Sequence, residues 1–116
     1  MALVARKAVE SEGLNVAASR LTTGNHVVYR ELERALAEYF DVESALLVPT
    51  GYLTNLVVAQ ALAGRFTHPL IDERAHTSLV DAAPLLGCKI LSFRHCEPSD
   101  VARRVRSCGR NSRVIL

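Results

Sequence analysis

Two short stretches carry residue types that can do chemistry, Pro49-Thr50-Gly51-Tyr52 and Asp72-Glu73-Arg74-Ala75-His76-Thr77-Ser78. The first lies between an apolar run, Ala45 to Val48, and a helical run, Leu53, Leu56, Val57, Gln60 and Ala61. That pattern reads as strand, tight turn, helix start. A helix start leaves its first N–H groups without intrahelical acceptors. Those groups and the positive end of the helix dipole make an anion site, most often for phosphate. Gly51 permits close backbone approach, and Thr50 can cap the helix and donate its hydroxyl. An ordinary strand-to-helix turn has the same look, so this turn by itself decides nothing.

The second stretch places an acid at a strand end and a histidine at the next helix start. In open α/β sheets ligands bind beyond the carboxyl ends of the strands. Parallel strands would therefore bring Gly51 and Asp72 to His76 to one edge. His76 alone also fits a plain helix-entry residue making one hydrogen bond. The remaining candidates carry less. His26, His68 and His95 have no mutual spacing that makes a metal site. Cys96 beside His95 is a possible reactive pair, but adjacent residues on a strand point apart, and an inert thiol is the alternative reading. Glu43, Glu73 and Asp81 read as surface charges.

Composition narrows the function classes. The 116 residues are 49% hydrophobic with a net charge of +2, enough for one modest domain with a Leu, Val and Ala core. The basic excess near the C-terminus (Arg103, Arg104, Arg106, Arg110, Arg113) is not interleaved with aromatics. It reads as a solvated helix face rather than a nucleic-acid surface. Three cysteines without CxxC spacing argue against a disulfide framework or zinc ribbon and fit a reducing cytoplasm. The N-terminus has its charges in the wrong order for a signal peptide. No run approaches the ~20 apolar residues needed to span a bilayer. The expectation is a soluble, cytoplasmic chain.

The elements that must position these residues follow from periodicity. Residues 2 to 12 form an amphipathic helix ended by Gly13, and Asn15 to His26 an ordered loop. Val28 to Phe40 carries the apolar stripe of a surface helix. Then come a strand at Ala45 to Val48, a helix from about Thr50 to Ala63, and a strand at His68 to Asp72. A helix from Thr77 to Leu86 stops at Gly87. A strand at Cys88 to Phe93 leads to a helix opening at Glu97-Pro98, which carries Val101, Ala102 and Val105 inward. A strand begins at Arg113. This alternation argues for an α/β sheet with helices on both faces. Residues 1–44 read as a loop-and-helix lead, and 45–116 as the first part of an α/β domain, cut inside a strand.

The order Ser19-Arg20…Gly24, Leu32-Glu33, Leu36-Ala37, Thr50-Gly51-Tyr52…Asn55, Asp72…His76-Thr77-Ser78 resembles the α-oxoamine synthases. These are pyridoxal-phosphate (PLP) enzymes of the aspartate-aminotransferase fold (fold type I). Members include 8-amino-7-oxononanoate synthase, 2-amino-3-ketobutyrate CoA ligase, 5-aminolevulinate synthase and serine palmitoyltransferase. The resemblance runs from about Ala18 to Leu116. It implies a partial large domain of that fold, and a whole protein that condenses an amino acid with an acyl-CoA as carbon dioxide leaves. Thr50, Gly51 and Tyr52 would hold the cofactor phosphate, and Tyr52 stands where the family has an aromatic beside the cofactor. His76 matches the histidine stacked on the pyridine ring, and Asp72 the strand-end acid of the same motif, with a positional role. Arg20 and the Ser19 to Gly24 loop resemble a segment near the substrate entrance, in a site shared across a homodimer.

The departures from the family pattern matter as well. Asn15 to Ala18 replace the usual Gly-rich lead, and Tyr29 stands where histidine is common. The family's aspartate for the pyridine nitrogen and its Schiff-base lysine fall beyond the strand that begins at Val114. Lys7 and Lys89 are the only lysines, and neither has the family's lysine context. No catalytic residue is therefore expected in these 116 residues, which alone should be inactive. The alternatives left open are an aminotransferase of the same fold, a non-catalytic truncated remnant, and a small phosphate-binding α/β module without pyridoxal chemistry.

Overall fold

A computed structural model describes residues 2–14 and 17–116. Asn15 and Val16, at the start of the expected loop and of the replaced Gly-rich lead, lie outside the described residues, as does Met1. The chain forms two compact units, one up to Leu47 and one spanning Val48–Leu116.

In the first unit, α1 (Ala2–Glu12) is exposed along its length and carries an Arg6–Glu10 ion pair one turn apart, 2.7 Å. Helix α2 (Val27–Phe40) is capped by His26, whose Nδ1 accepts from the Val28 N–H at 3.4 Å while Nε2 meets Glu12 at 2.7 Å. The helix ends without glycine. Asp41 takes the left-handed conformation, φ +52°, and its N–H reaches the Ala37 and Glu38 carbonyls. Of the expected apolar stripe, Val28, Leu32, Ala35, Tyr39 and Phe40 are exposed and Leu36 is half-buried; the buried residue of the helix is Ala37, outside that stripe. Between the two helices Gly24 is buried. A Cβ there would fall on the Ala18 carbonyl, so close backbone approach demands glycine at this point.

The second unit is built on a three-stranded parallel sheet, β1 (His68–Asp72), β2 (Leu91–Phe93) and β3 (Val114–Ile115), in the order β2-β1-β3. The central strand divides its pairing: Leu70 to Asp72 face Leu91 to Phe93, while His68 and Pro69 face Val114 and Ile115. Helix α3 (Gly51–Ala61) packs on α4 (Thr77–Ala82). The core between helices and sheet is Ala59, Ala82 and Leu86, with Leu56, Leu62, Leu85, Cys88 and Ile115 around them. Small residues at 59 and 82 let the helices approach closely. Helix α5 (Pro98–Ser107) follows β2, and its buried Asp100 accepts the Arg94 N–H at 3.0 Å and pairs with Arg103.

Four expectations are corrected. Among the described residues Ala45 to Val48 is not a strand. An apolar run becomes a strand only when a ladder partner takes its N–H and C=O groups, and none is paired with it. The helix from Thr77 is α-helical only to Ala82, and Ala83–Leu86 continues as a 3₁₀ turn. Pro84 has no N–H to donate into the previous turn, so the α ladder stops there. Strand β2 begins at Leu91 rather than Cys88, because its ladder with β1 runs only from Leu91 to Phe93 and Cys88 to Ile90 have no ladder partner among the described residues. Val105, expected to face inward on α5, is exposed.

Candidate functional site

Helix α3 begins where the sequence places it. Thr50, in extended conformation, accepts the Leu53 N–H on its side-chain oxygen at 3.2 Å. The amides of Gly51 and Tyr52, first in the helix, have no intrahelical acceptor by the geometry of an α-helix. Nothing lies within 4 Å of the position a Gly51 Cβ would take. Glycine thus leaves the side of the helix start where a Cβ would stand open, next to two amides at the positive end of the helix.

Two side-chain bonds join this helix start to α4. The Tyr52 hydroxyl donates to Asp81 Oδ2, and Asn55 Nδ2 donates to Ser78 Oγ at 2.8 Å. Tyr52 and Asn55 are three apart on α3, as are Ser78 and Asp81 on α4, so both bonds use one face of each helix. The bond to Asp81, more than burial, pushes the Tyr52 hydroxyl above the usual phenol range. Asp81 is exposed, as a surface charge would be, yet it is this tyrosine's partner.

His76 is exposed and caps α4. Its Nδ1 accepts the Ser78 N–H at 3.2 Å and lies 2.7 Å from Ser78 Oγ. Ser78 is 2% exposed. Asp72 ends β1, accepts the Arg74 N–H on Oδ1 at 2.8 Å, and pairs with His95 Nδ1 at 3.0 Å. The Arg74 amide is the main force holding its carboxyl below the usual range; desolvation opposes it and His95 adds to it. Glu73, read as a surface charge, accepts the His95 N–H at 3.2 Å. His95 therefore braces the loop after β1 and stands in no bond with its neighbour Cys96 among those described.

The second unit thus brings Thr50, Gly51, Tyr52 and His76 to adjoining helix starts, with Asp72 four residues before His76 along the loop. Arg20 belongs to the first unit. Its Nε donates to Asn25 Oδ1 at 3.0 Å, Nη1 to the Leu47 carbonyl at 3.0 Å, and Nη2 meets Glu33 at 2.9 Å, while its guanidinium lies 4.7 Å from the Tyr29 ring centroid. Glu33 is held below the carboxylate range first by the Leu47 N–H at 2.8 Å and then by Arg20. Sequence gave Asn55 and Ser78 only a place in a motif, read Asp81 as a surface charge, and weighed His95 only against a metal site or as a partner of Cys96; the bonds these residues make here were not foreseen. The spacing signal for the first three exists only once α3 and α4 are known to pack.

An apolar cleft of about 470 Å³ lies between α3, α4 and the sheet, lined by Val58, Leu62, Leu70, Leu79 and Ile115 among others. Its walls include Asn55 and Asp72 but neither Gly51 nor His76. Among the described residues no cluster of His, Cys, Asp or Glu is arranged to hold a metal, and no helix is long and apolar enough to cross a membrane.

No protein-family model matches the chain. Individual proteins do. Over 112 residues it is 38% identical to an 8-amino-7-oxononanoate synthase from Hahella chejuensis, covering 97% of this chain and 28% of that protein. Over 103 residues it is 36% identical to a serine palmitoyltransferase from Caulobacter vibrioides, covering 89% of this chain and 26% of the relative. A serine palmitoyltransferase from S. paucimobilis, solved with bound PLP–myriocin aldimine, superposes with a TM-score of 0.86 at 26% identity, over 97% of this chain and 29% of that one. The likeness to α-oxoamine synthases is thus found in both sequence and fold. The parallel sheet with its flanking helices is part of the fold type I architecture. The chain spans somewhat over a quarter of the length of the relatives it matches.

Proposed function

We propose that this chain is the cofactor-phosphate segment of a PLP-dependent α-oxoamine synthase whose whole protein condenses an amino acid with an acyl-CoA thioester and releases carbon dioxide. The observation that carries the reading is a helix start whose Gly51 Cβ position is open, whose first amides lack intrahelical acceptors, and which is tied through α4 to His76. A phosphate ester needs such free donors and no Cβ in its way, so the residues present fit the phosphate of PLP. Bound there, PLP supplies the electron sink for a carbanion at the amino acid's α-carbon.

In this reading Thr50, Gly51 and Tyr52 bind the phosphate, and the Tyr52–Asp81 bond keeps the aromatic ring beside it. His76 orients the cofactor ring. Asp72 anchors the loop that leads to His76 through the Arg74 amide and His95. Arg20 would act on substrate from the entrance segment, by the resemblance alone, since its donors already serve Asn25, Leu47 and Glu33. The division into residues 1–44 and 45–116, a homodimeric whole protein and a cytoplasmic location belong to the same reading. Lys89 precedes the amino end of β2, whereas Asp72 and His76 follow the carboxyl end of its parallel neighbour β1. It lies at the edge away from the site and does not serve as Schiff-base lysine. Tyr29, in place of the family's common histidine, keeps an aminotransferase of the same fold as the second reading.

The test is titration of the purified chain with PLP, with inorganic phosphate as competitor and borohydride reduction followed by mass analysis. Weak, reversible binding that phosphate displaces and His76→Ala weakens is expected, with no label on Lys7 or Lys89. Absence of saturable binding, or a stable stoichiometric adduct on either lysine, refutes the assignment.

A further inference from the structure

We infer that Asn55 and Ser78 are positioning residues for His76, holding its imidazole in one tautomer with the ring proton on Nε2 and tying the ring to the helix that begins at Gly51. The polarity of the chain of bonds follows from a single backbone group. The Ser78 N–H can only donate, and it points at His76 Nδ1, 3.2 Å away. Nδ1 is therefore an acceptor, and in the neutral ring the proton resides on Nε2. Ser78 Oγ, 2.7 Å from the same nitrogen, must then donate its hydrogen to Nδ1. The hydroxyl oxygen is left to accept, and the group presented to it is Asn55 Nδ2 at 2.8 Å. The opposite amide orientation would give the hydroxyl two acceptors for one hydrogen and leave its oxygen lone pairs facing the Asn55 carbonyl oxygen.

Burial makes the arrangement consequential. Ser78 is 2% exposed, so water does not readily replace either bond, and a buried hydroxyl without partners is costly. Asn55 lies one turn beyond Tyr52 on α3, so a rotation or slide of α3 that displaces the Gly51 amides also pulls on the histidine ring. The functional part of the inference, that the ring so held is the one that orients PLP, rests on the reading proposed above. The tautomer does not.

The test uses the full chain labelled with ¹⁵N-histidine, at a pH above the titration range of histidine. Long-range ¹H–¹⁵N correlation spectra report which ring nitrogen carries the proton, and His76→Gln assigns the signals. The wild type is expected to show Nε2–H with a pyridine-like Nδ1. Asn55→Asp keeps the size of the side chain but offers an acceptor, drawing the Ser78 hydrogen away from the ring. It should lower the ratio of Nε2–H to Nδ1–H by about fivefold or more, the worth of one ordinary hydrogen bond. Ser78→Ala should act in the same direction, and Ser78→Thr should restore the wild-type spectrum. Far-UV circular dichroism confirms that each variant compared is folded. A wild-type ring already mixed between tautomers overturns the inference, as does an unchanged ratio in a folded Asn55→Asp chain. PLP is absent from this readout. A chain that fails to bind PLP therefore refutes the proposed function while the tautomer result stands on its own, and PLP affinity falling with the ratio across the variants joins the two.

Discussion

Replacing Gly51 by alanine separates a fold requirement from a ligand requirement. Gly51 is the first residue of α3, its φ is not in the left-handed region, and a Cβ built on it meets nothing within 4 Å. The fold therefore has no use for glycine here. Alanine loses less backbone entropy on folding and is the better helix former, by up to about 1 kcal/mol in a helix interior and less at a first position. For a domain of this size that is a rise in Tm of at most about 4–8 °C. A phosphate seated against the Gly51 and Tyr52 amides would meet the new methyl group. Losing one hydrogen bond to a charged oxygen costs about 1.5–3 kcal/mol, a weakening of about 10- to 150-fold. Parallel thermal melts and PLP titrations with phosphate competition measure both effects on one sample. Equal or higher Tm with binding weakened at least tenfold is expected. Unchanged affinity would show that the ligand does not approach Gly51, and a lowered Tm would show that the open space is not open in solution.

Gly24→Ala has the opposite character, because the added Cβ falls on the Ala18 carbonyl; it should lower the melting temperature of the first unit and expose the loop to limited proteolysis. Asp41→Gly relieves a left-handed residue at the end of α2; relief of about 1–2 kcal/mol against a glycine entropy cost of about 0.5–1 kcal/mol leaves a small net gain in Tm, read by thermal circular dichroism. Asp72 and Asp100 are both held below the usual carboxylate range, first by the Arg74 and Arg94 amides respectively. A carboxyl group depressed in the folded state contributes stability above its unfolded pKa, and that contribution disappears as pH falls through the folded value. An acid titration of the circular dichroism signal should therefore show stability falling below the ordinary aspartate range, near 3.8, with a shallower fall in Asp72→Asn and in Asp100→Asn.

Local signals carried much of the fold. The helix near Gly51 starts at a threonine cap with glycine behind it, β1 spans His68 to Asp72, and Gly87 closes the turn after Leu86 in the left-handed conformation. Each is decided by residues adjacent in the chain. What failed needed a partner or a missing donor. The Ala45 to Val48 run has the apolarity of a buried strand, but strand formation is a property of a pair. The end of α4 was set by the absent N–H of Pro84, against a periodicity that ran on to Leu86. The end of α2 at Phe40 was legible from periodicity alone, although Asp41, rather than glycine, adopts the left-handed cap.

The candidate site divides along the same line. The helix-start positions of Thr50, Gly51 and His76 were legible because helix starts have local chemistry: a hydroxyl cap, amides without intrahelical acceptors, an imidazole accepting an N–H two residues on. Their coupling was not, because it runs through Tyr52 to Asp81 and Asn55 to Ser78, pairs separated by 29 and 23 residues. Asp81 is an exposed acid on a short helix, and nothing in its neighbourhood distinguishes it from Glu43. Only packing α3 on α4 makes it the acceptor for a tyrosine. That packing in turn depends on alanines at 59 and 82, the least chemically expressive residues in the chain. Enlarging either would push the helices apart and lengthen both side-chain bonds at once. The relation between the helix start at Gly51 and the histidine is therefore set by the small residues of the core, and the polar residues report it.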